Sequence, residues 1–269
     1  MSDPELIYRT RLPVRLWHWT NAITLVVMLM TGLMIFNAHP RLYWGAFGAN
    51  PDHAWLEIGN RGTHGYLTLL GVEIPTTGVL GYAMGTAEAF PPLVTLPGHY
   101  NVPVARIWHF FFSWVLVLGW LIFAIYSLIS RHLWNDLLLK REEARLASLW
   151  QDIKDHARLH LPRGAKARHY NPVQKIAYLG VLLLGLPLMV LTGLTMSPAM
   201  DAAWPWLLDV TGGRQSARSL HFIVAAGLAF FIVVHLAMVL LAGPINEMRS
   251  IITGWYRLPP ARPVPGDEA

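Results

Sequence analysis

Four histidines carry the chemistry this chain can be expected to do. His221 and His235 lie fourteen residues apart inside one apolar stretch, residues 217–243. As α-helix, that separation rises roughly 21 Å over almost four turns, so both imidazoles point to nearly the same face. His18 and His109 stand near the starts of two other apolar stretches. Ionisable side chains inside a membrane are rare and functional by default. An interfacial histidine bonded to water or headgroups is the plainer reading of any one of them, but the set of four reads as ligands. Cysteine is absent. That removes thiolate iron–sulfur clusters, covalent haem attachment through C-x-x-C-H, and disulfides. A redox centre in this chain is expected to hang on imidazole.

The elements that must position these residues are membrane helices. The chain of 269 residues is 54% hydrophobic and 14% charged, against about 25% charged in a soluble domain. Apolar stretches at 14–36, 104–129, 172–196 and 217–243 account for the difference, each near the ~20 residues that cross a bilayer. The first is too long for a signal-peptide core and has no clean cleavage site, so it reads as a retained helix. Ten Lys/Arg fall between Arg131 and Lys175, with Arg9, Arg11 and Arg15 before the first stretch and Arg249, Arg257 and Arg262 after the last. The segments after the first and third stretches hold only Arg41, Arg61, Arg106, Arg214 and Arg218. The positive-inside rule places both termini and the 131–171 loop in the cytoplasm. Topology thus accounts for the basic clusters, and no nucleic-acid partner is expected.

That topology sorts the histidines by depth. Helix 1 starts inside and helices 2 and 4 start outside. His18 and His235 are therefore inner, and His109 and His221 outer. Each pair draws on two helices, as a bis-histidine haem requires. The expected fold is all-α and integral to the membrane: a four-helix bundle holding two non-covalent b haems, ligated by His18 with His235 and by His109 with His221. Two axial imidazoles leave no open iron position, which favours electron transfer over chemistry at the iron. Arg15, Arg106 and Arg218 each stand three residues before a histidine, one turn nearer the surface on a similar face. They are candidates for pairing with haem propionates, with snorkelling at helix ends as the alternative. Gly32, Gly119, Gly185, Gly193 and Gly227 suit either a flat macrocycle or helix packing.

A weak repeat runs through the chain. Ala105-Arg106-Ile107-Trp108-His109-Phe110 matches Ala217-Arg218-Ser219-Leu220-His221-Phe222, and Met28-Leu29-Met30-Thr31-Gly32-Leu33 matches Met189-Val190-Leu191-Thr192-Gly193-Leu194. Residues 1–257 read as one membrane domain and 258–269 as a disordered tail. The outer loop, 38–103, is long for a segment without a span of its own, and 66–80 reads as two short strands around a turn, a docking platform or a cap. Leu138, Leu146, Leu149, Trp150, Ile153 and Ala157 recur at helical spacing, which predicts an amphipathic helix over 136–161 on the inner membrane surface. His39, His53, His64 and His99 follow no defensible metal-ligand spacing.

At these residues the chain resembles a known group, the four-helix di-haem cytochrome b subunits that anchor NiFe-hydrogenases and N-type formate dehydrogenase. Within it, the chain is most similar to the thiosulfate reductase cytochrome b subunits. The resemblance rests on Arg15-Leu16-Trp17-His18-Trp19, the fourteen-residue spacing of His221 and His235, His169-Tyr170-Asn171-Pro172-Val173-Gln174-Lys175, Phe36-Asn37-Ala38-His39-Pro40-Arg41-Leu42-Tyr43-Trp44-Gly45 and Ser197-Pro198-Ala199-Met200. It covers all but the tail. It implies the same ligand pairs, and a quinone site beside the inner haem that uses His169, Asn171, Gln174 and Lys175. Asn171-Pro172 also suits a helix cap. It further implies an extracytoplasmic redox partner, often a molybdopterin oxidoreductase. Hydrogenase anchors often carry a further helix that is absent here, and the long outer loop is unlike the compact stand-alone cytochromes.

The leading expectation is a multi-pass protein of the bacterial cytoplasmic membrane. It would pass electrons between the quinone pool at the inner haem and that partner at the outer one. A stand-alone superoxide:quinone oxidoreductase and a non-redox channel or scaffold are the alternatives.

Overall fold

The structure, a computed structural model, describes residues 5–158 and 170–258. His169 and the chain beyond Leu258 lie outside the described residues. Among the described residues, four helices are long and apolar enough to cross a membrane: Leu12–Phe36, Val102–Ile129, Pro172–Thr195 and Arg214–Ala242. Their exposure fits that role. Only 6% of the most apolar window of the last is buried, and helices apolar all round need an apolar surrounding. The chain divides into two compact units. One comprises Met1–Thr20, Gly119–Leu184 and Phe230–Ala269, and the other Asn21–Leu118 and Gly185–Ala229.

The first unit joins the two ends of the chain. Strand β1 (Leu6–Tyr8) pairs antiparallel with β6 (Trp255–Arg257), Leu6 opposite Arg257 and Tyr8 opposite Trp255. Ile7, Tyr256 and Leu258 pack together, and Leu258 N–H donates to the Glu5 carbonyl at 2.9 Å. The expected disordered tail therefore does not begin at Leu258. The unit holds the first turns of α1 (Leu12–Phe36) and the second half of α2 (Val102–Ile129). A π-helical turn follows at Leu133–Leu137. The amphipathic helix begins later than expected: α3 is Leu146–Ala157, since Leu138 is extended and 141–144 form a turn, while the expected end at 159–161 lies outside the described residues. Its Leu146, Trp150 and Ile153 form an exposed apolar stripe at i, i+4, i+7 spacing.

The third span opens as α4 (Pro172–Leu179), where Asn171 and Gln174 form a capping box with Pro at the first turn. A π-helical stretch, Gly180–Gly185, carries it on. Helix α9 (Pro244–Thr253) went unforeseen in the sequence. It ends at Gly254, which is at φ +89° with a would-be Cβ 2.4 Å from the Tyr8 ring, so only glycine fits.

The second unit contains the rest of α1, the outer loop, the first half of α2, α5 (Leu186–Thr195) and most of α8 (Arg214–Ala242). The short helices α6 (Pro198–Ala203) and α7 (Trp206–Thr211) connect α5 to α8. The outer loop holds more sheet than the hairpin read from the sequence. Strands β2 (Arg41–Leu42), β3 (Leu56–Arg61), β4 (His64–Leu69) and β5 (Val72–Pro75) form a four-stranded antiparallel sheet in that order. The β4–β5 pairing is the expected hairpin, Leu69 opposite Val72. The β3–β4 hairpin turns at Gly62, at φ +61°. Phe36, Leu42, Leu56, Ile58 and Ala89 form the core beneath the sheet, with Phe222 of α8 packed against it. The loop is thereby built onto the ends of the helices it joins.

Candidate functional site

The four intramembrane histidines come together as two pairs. His18 of α1 and His235 of α8 have ring centroids 6.3 Å apart, at 54° between planes. His109 of α2 and His221 of α8 are 6.4 Å apart, at 60°. Two imidazoles on opposite sides of one first-row metal ion, through bonds of about 2 Å, would set their centroids roughly 6.3 Å apart, a spacing both pairs match. Among the described residues no group of three or more His, Cys, Asp or Glu could hold a metal. Two imidazoles fill only part of a metal ion's coordination, and haem iron is a centre that brings its remaining ligands with it. His39, His53, His64 and His99 form no such group.

The His109–His221 pair is held from behind. Thr31 of α1 lies 3.0 Å from His109 Nδ1, and Thr192 of α5 lies 2.9 Å from His221 Nδ1. Each threonine hydroxyl sends its single hydrogen to the carbonyl four residues back, Val27 at 2.7 Å and Leu188 at 2.6 Å. The oxygen facing the imidazole can then only accept. Both Nδ1 atoms must carry a proton, which leaves each Nε2 lone pair for a metal. The next residue in each case is glycine. A Cβ at Gly32 would meet His109 Cε1 at 3.5 Å, and one at Gly193 would meet His221 Cε1 at 3.6 Å. The repeated Thr-Gly is thus a seat for an imidazole. The repeat was legible in the sequence, but its threonines were not foreseen as partners.

The start of α8 is clamped by the outer loop. Gln215 and Ser216 N–H donate to the Gly45 carbonyl, both at 3.1 Å, and Gly45 N–H donates to Ser216 Oγ at 2.7 Å. Trp55 Nε1 donates to Ser219 Oγ at 2.9 Å, and Ser219 passes its hydrogen to the Tyr43 carbonyl at 2.5 Å. Gly213 makes the approach possible: its φ is +103° and a Cβ there would sit 2.6 Å from Ala46 Cα. Arg218 donates to the carbonyls of His39 and Arg41. Burial, with Arg218 and Arg41 close by, pushes the His39 imidazole below its ordinary pKa. Arg106 is exposed, its guanidinium 5.7 Å from the Phe110 ring.

The His18–His235 pair is differently framed. His18 Nδ1 is buried without a hydrogen-bond partner. His18 stands edge-on to Trp19 at 5.3 Å, and His235 stacks on Phe231 at 5.9 Å. Gly119 takes the edge of Trp17, which stacks on Phe123 at 5.3 Å. Arg15 donates to the Ile252 carbonyl, and its Nε is buried without a partner.

Of the residues the resemblance assigned to a quinone, Asn171 Oδ1 accepts from Gln174 N–H at 2.8 Å and Gln174 Oε1 accepts from Asn171 N–H at 3.3 Å. Lys175, 3% exposed, donates to both oxygens of Glu143, at 3.0 and 2.8 Å. Burial pushes the Glu143 carboxyl up, but the Lys175 ammonium and the Lys140 N–H outweigh it and hold it below the usual carboxylate range. Sequence reasoning missed Glu143, which lies 32 residues from its partner. It also missed the buried His132, whose Nδ1 is 2.6 Å from Asp136 Oδ2.

Comparison with known proteins follows the same lines. The family model described as prokaryotic cytochrome b561 matches residues 9–254. The chain is 27% identical over 231 residues to a putative protein-methionine-sulfoxide reductase subunit YedZ1 of Azospira oryzae, covering 85% of this chain and 88% of that one. It is 21% identical to a probable Ni/Fe-hydrogenase B-type cytochrome subunit of Azotobacter vinelandii, with 96% and 91% covered. It is 24% identical to the putative cytochrome YdhU of Escherichia coli, with 94% and 76% covered. No solved structure matches the chain significantly.

Proposed function

The chain belongs to the prokaryotic cytochrome b561 family, and from that premise we propose that it is a di-haem electron-transfer subunit linking the quinone pool to an extracytoplasmic redox enzyme. The carrying observation is the pair of imidazole pairs, 6.3 and 6.4 Å between centroids, each drawn from two spans. Haem b supplies reversible one-electron iron chemistry when bound. In this reading His18 and His235 hold the haem nearer the cytoplasm, and His109 and His221 the one nearer the outside, with both termini cytoplasmic. Arg15, Arg106 and Arg218 serve the propionates, and α3 lays its exposed stripe of Leu146, Trp150 and Ile153 on the inner lipid surface.

Quinol oxidation releases two electrons and two protons. Asn171, Gln174 and Lys175, at the cytoplasmic start of the third span, offer amide and ammonium hydrogens to a quinone carbonyl, with His169 just before them. Glu143 beside Lys175 is a carboxylate able to take a proton toward water. The sheet β2–β5 is the surface on which a partner would sit. The resemblance supports a molybdopterin oxidoreductase of the thiosulfate reductase type; one relative is named a putative protein-methionine-sulfoxide reductase subunit and another a probable Ni/Fe-hydrogenase B-type cytochrome subunit, which supports a redox-enzyme partner.

The test is a pyridine haemochrome assay on purified protein, followed by stopped-flow mixing with a menaquinol analogue. Two b haems per chain, reduced by quinol, and slowed reduction in Asn171→Ala and Lys175→Met, are expected. No haem would remove the electron-transfer reading. Rapid reduction by superoxide with quinone as acceptor would point to a stand-alone superoxide:quinone oxidoreductase.

A further inference from the structure

Thr31 and Thr192 do more than fill space. Both are essentially fully buried, both spend their hydrogen on their own helix, and both aim the remaining lone pair at the Nδ1 of a histidine. The carbonyls of Met28 and Met189 face the same two imidazoles as backbone acceptors. An imidazole that donates from Nδ1 to an acceptor is a stronger electron donor at Nε2, and it favours the higher oxidation state of the metal it binds. His18 Nδ1 is buried with no such acceptor.

We propose that Thr31 and Thr192 are positioning residues that accept from the Nδ1–H of His109 and His221 and, by that added hydrogen bond, lower the reduction potential of the iron bound between those two histidines. The inference rests on the ligand assignment proposed above. It extends that assignment from which residues bind to how strongly they donate. The Thr-Gly repeat gives it a physical unit. The threonine polarises the ring from behind, and the adjacent glycine lets the ring lie against the helix that carries the threonine.

The experiment is a spectroelectrochemical titration of the purified holoprotein and of Thr31→Val, Thr192→Val and the double variant, each checked for two haems per chain. Valine keeps the shape and removes the acceptor. The Met28 and Met189 carbonyls should keep the tautomer, so both haems should stay. One of the two midpoint potentials should rise in each single variant and rise further in the double variant, with the other unmoved. Thr31→Ser and Thr192→Ser should keep the original value. The inference is overturned if neither potential moves, if both move together, or if serine behaves like valine. The two threonines serve different ligands, so failure of one variant to assemble leaves the other as a complete test. His109→Ala and His221→Ala, run alongside, separate two kinds of failure. Loss of one haem in these with unmoved potentials in the valine variants sinks only the threonine role. Retention of both haems in them sinks the ligand assignment itself.

Discussion

The two imidazole pairs have nearly the same spacing but very different surroundings. His109 and His221 each donate to a threonine hydroxyl, each lie against a glycine, and the helix start before His221 is clamped by Gly45, Trp55 and Tyr43. His18 and His235 are framed by aromatic rings, Trp19 and Phe231, and His18 Nδ1 has no acceptor. In the function proposed above, histidine would be the iron ligand in all four cases. The two pairs thus differ one layer out from the imidazoles, in what the second ring nitrogen meets, and that is a layer through which a metal-bound imidazole is tuned.

The harshest way to break this comparison is to remove ligands in combination. Any single His→Ala at the four positions should cost one haem of two by the pyridine haemochrome assay. His109→Ala with His221→Ala should still retain one haem, whereas His18→Ala with His221→Ala should retain none. One haem left in the latter combination would mean that the pairs are wrongly drawn.

Next in size is the glycine seat. Gly193→Leu should drive into the His221 ring and lose that haem. Gly193→Ala, whose Cβ would sit at ordinary contact distance, 3.6 Å from His221 Cε1, should keep both. Equal tolerance of leucine would show that the ring is free to move.

The Lys175–Glu143 pair belongs to the unit of His18 and His235, and its loss should be felt as stability. Glu143→Gln leaves a buried ammonium unpaired. Breaking a fully buried pair costs about 3–5 kcal/mol, and the 25% exposure of the Glu143 side chain reduces this to roughly 2 kcal/mol, read as a lower thermal midpoint in detergent. Adding Lys175→Met should recover most of it. The sign with pH follows from the depressed Glu143 pKa. The contribution is fully present above the ordinary carboxylate pKa, about 4.3, and is lost as pH falls through the lower folded value. A melting midpoint in Glu143→Gln that drops as steeply with acid as wild type would assign the acid sensitivity elsewhere.

The smallest effect is at the clamp. Trp55→Phe removes one donor to Ser219 while Ser219 keeps its bond to Tyr43, costing on the order of 1 kcal/mol. Its optical signature should appear in the haem of His109 and His221 alone. A shift in both haem spectra would show that the clamp acts on the whole fold.

Much of the fold was legible because a bilayer imposes length and composition on any helix that crosses it. The four spans, read at 14–36, 104–129, 172–196 and 217–243, appear within three residues at each end. The proximity of His18 to His235 and of His109 to His221 is the pairing that alternating helix direction suggested from the sequence. The rest was hidden for stated reasons. Strand β3 opens with an apolar alternation that stops at Gly59 and Asn60, so the sheet showed only its β4–β5 half. Helix α9 is too short and too polar to register beside the spans, and it opens on Pro244, which reads as a stop.

By itself, then, the sequence determined the four spans found among the described residues, the lack of any cysteine and the placing of four histidines on those spans, since these follow from local pattern and the solvent around it. Only the tertiary structure decided that Thr31 and Thr192 stand behind His109 and His221 and that Glu143 meets Lys175. These contacts join residues 78, 29 and 32 positions apart. No periodicity encodes them, and they exist because separate elements are brought within hydrogen-bonding distance.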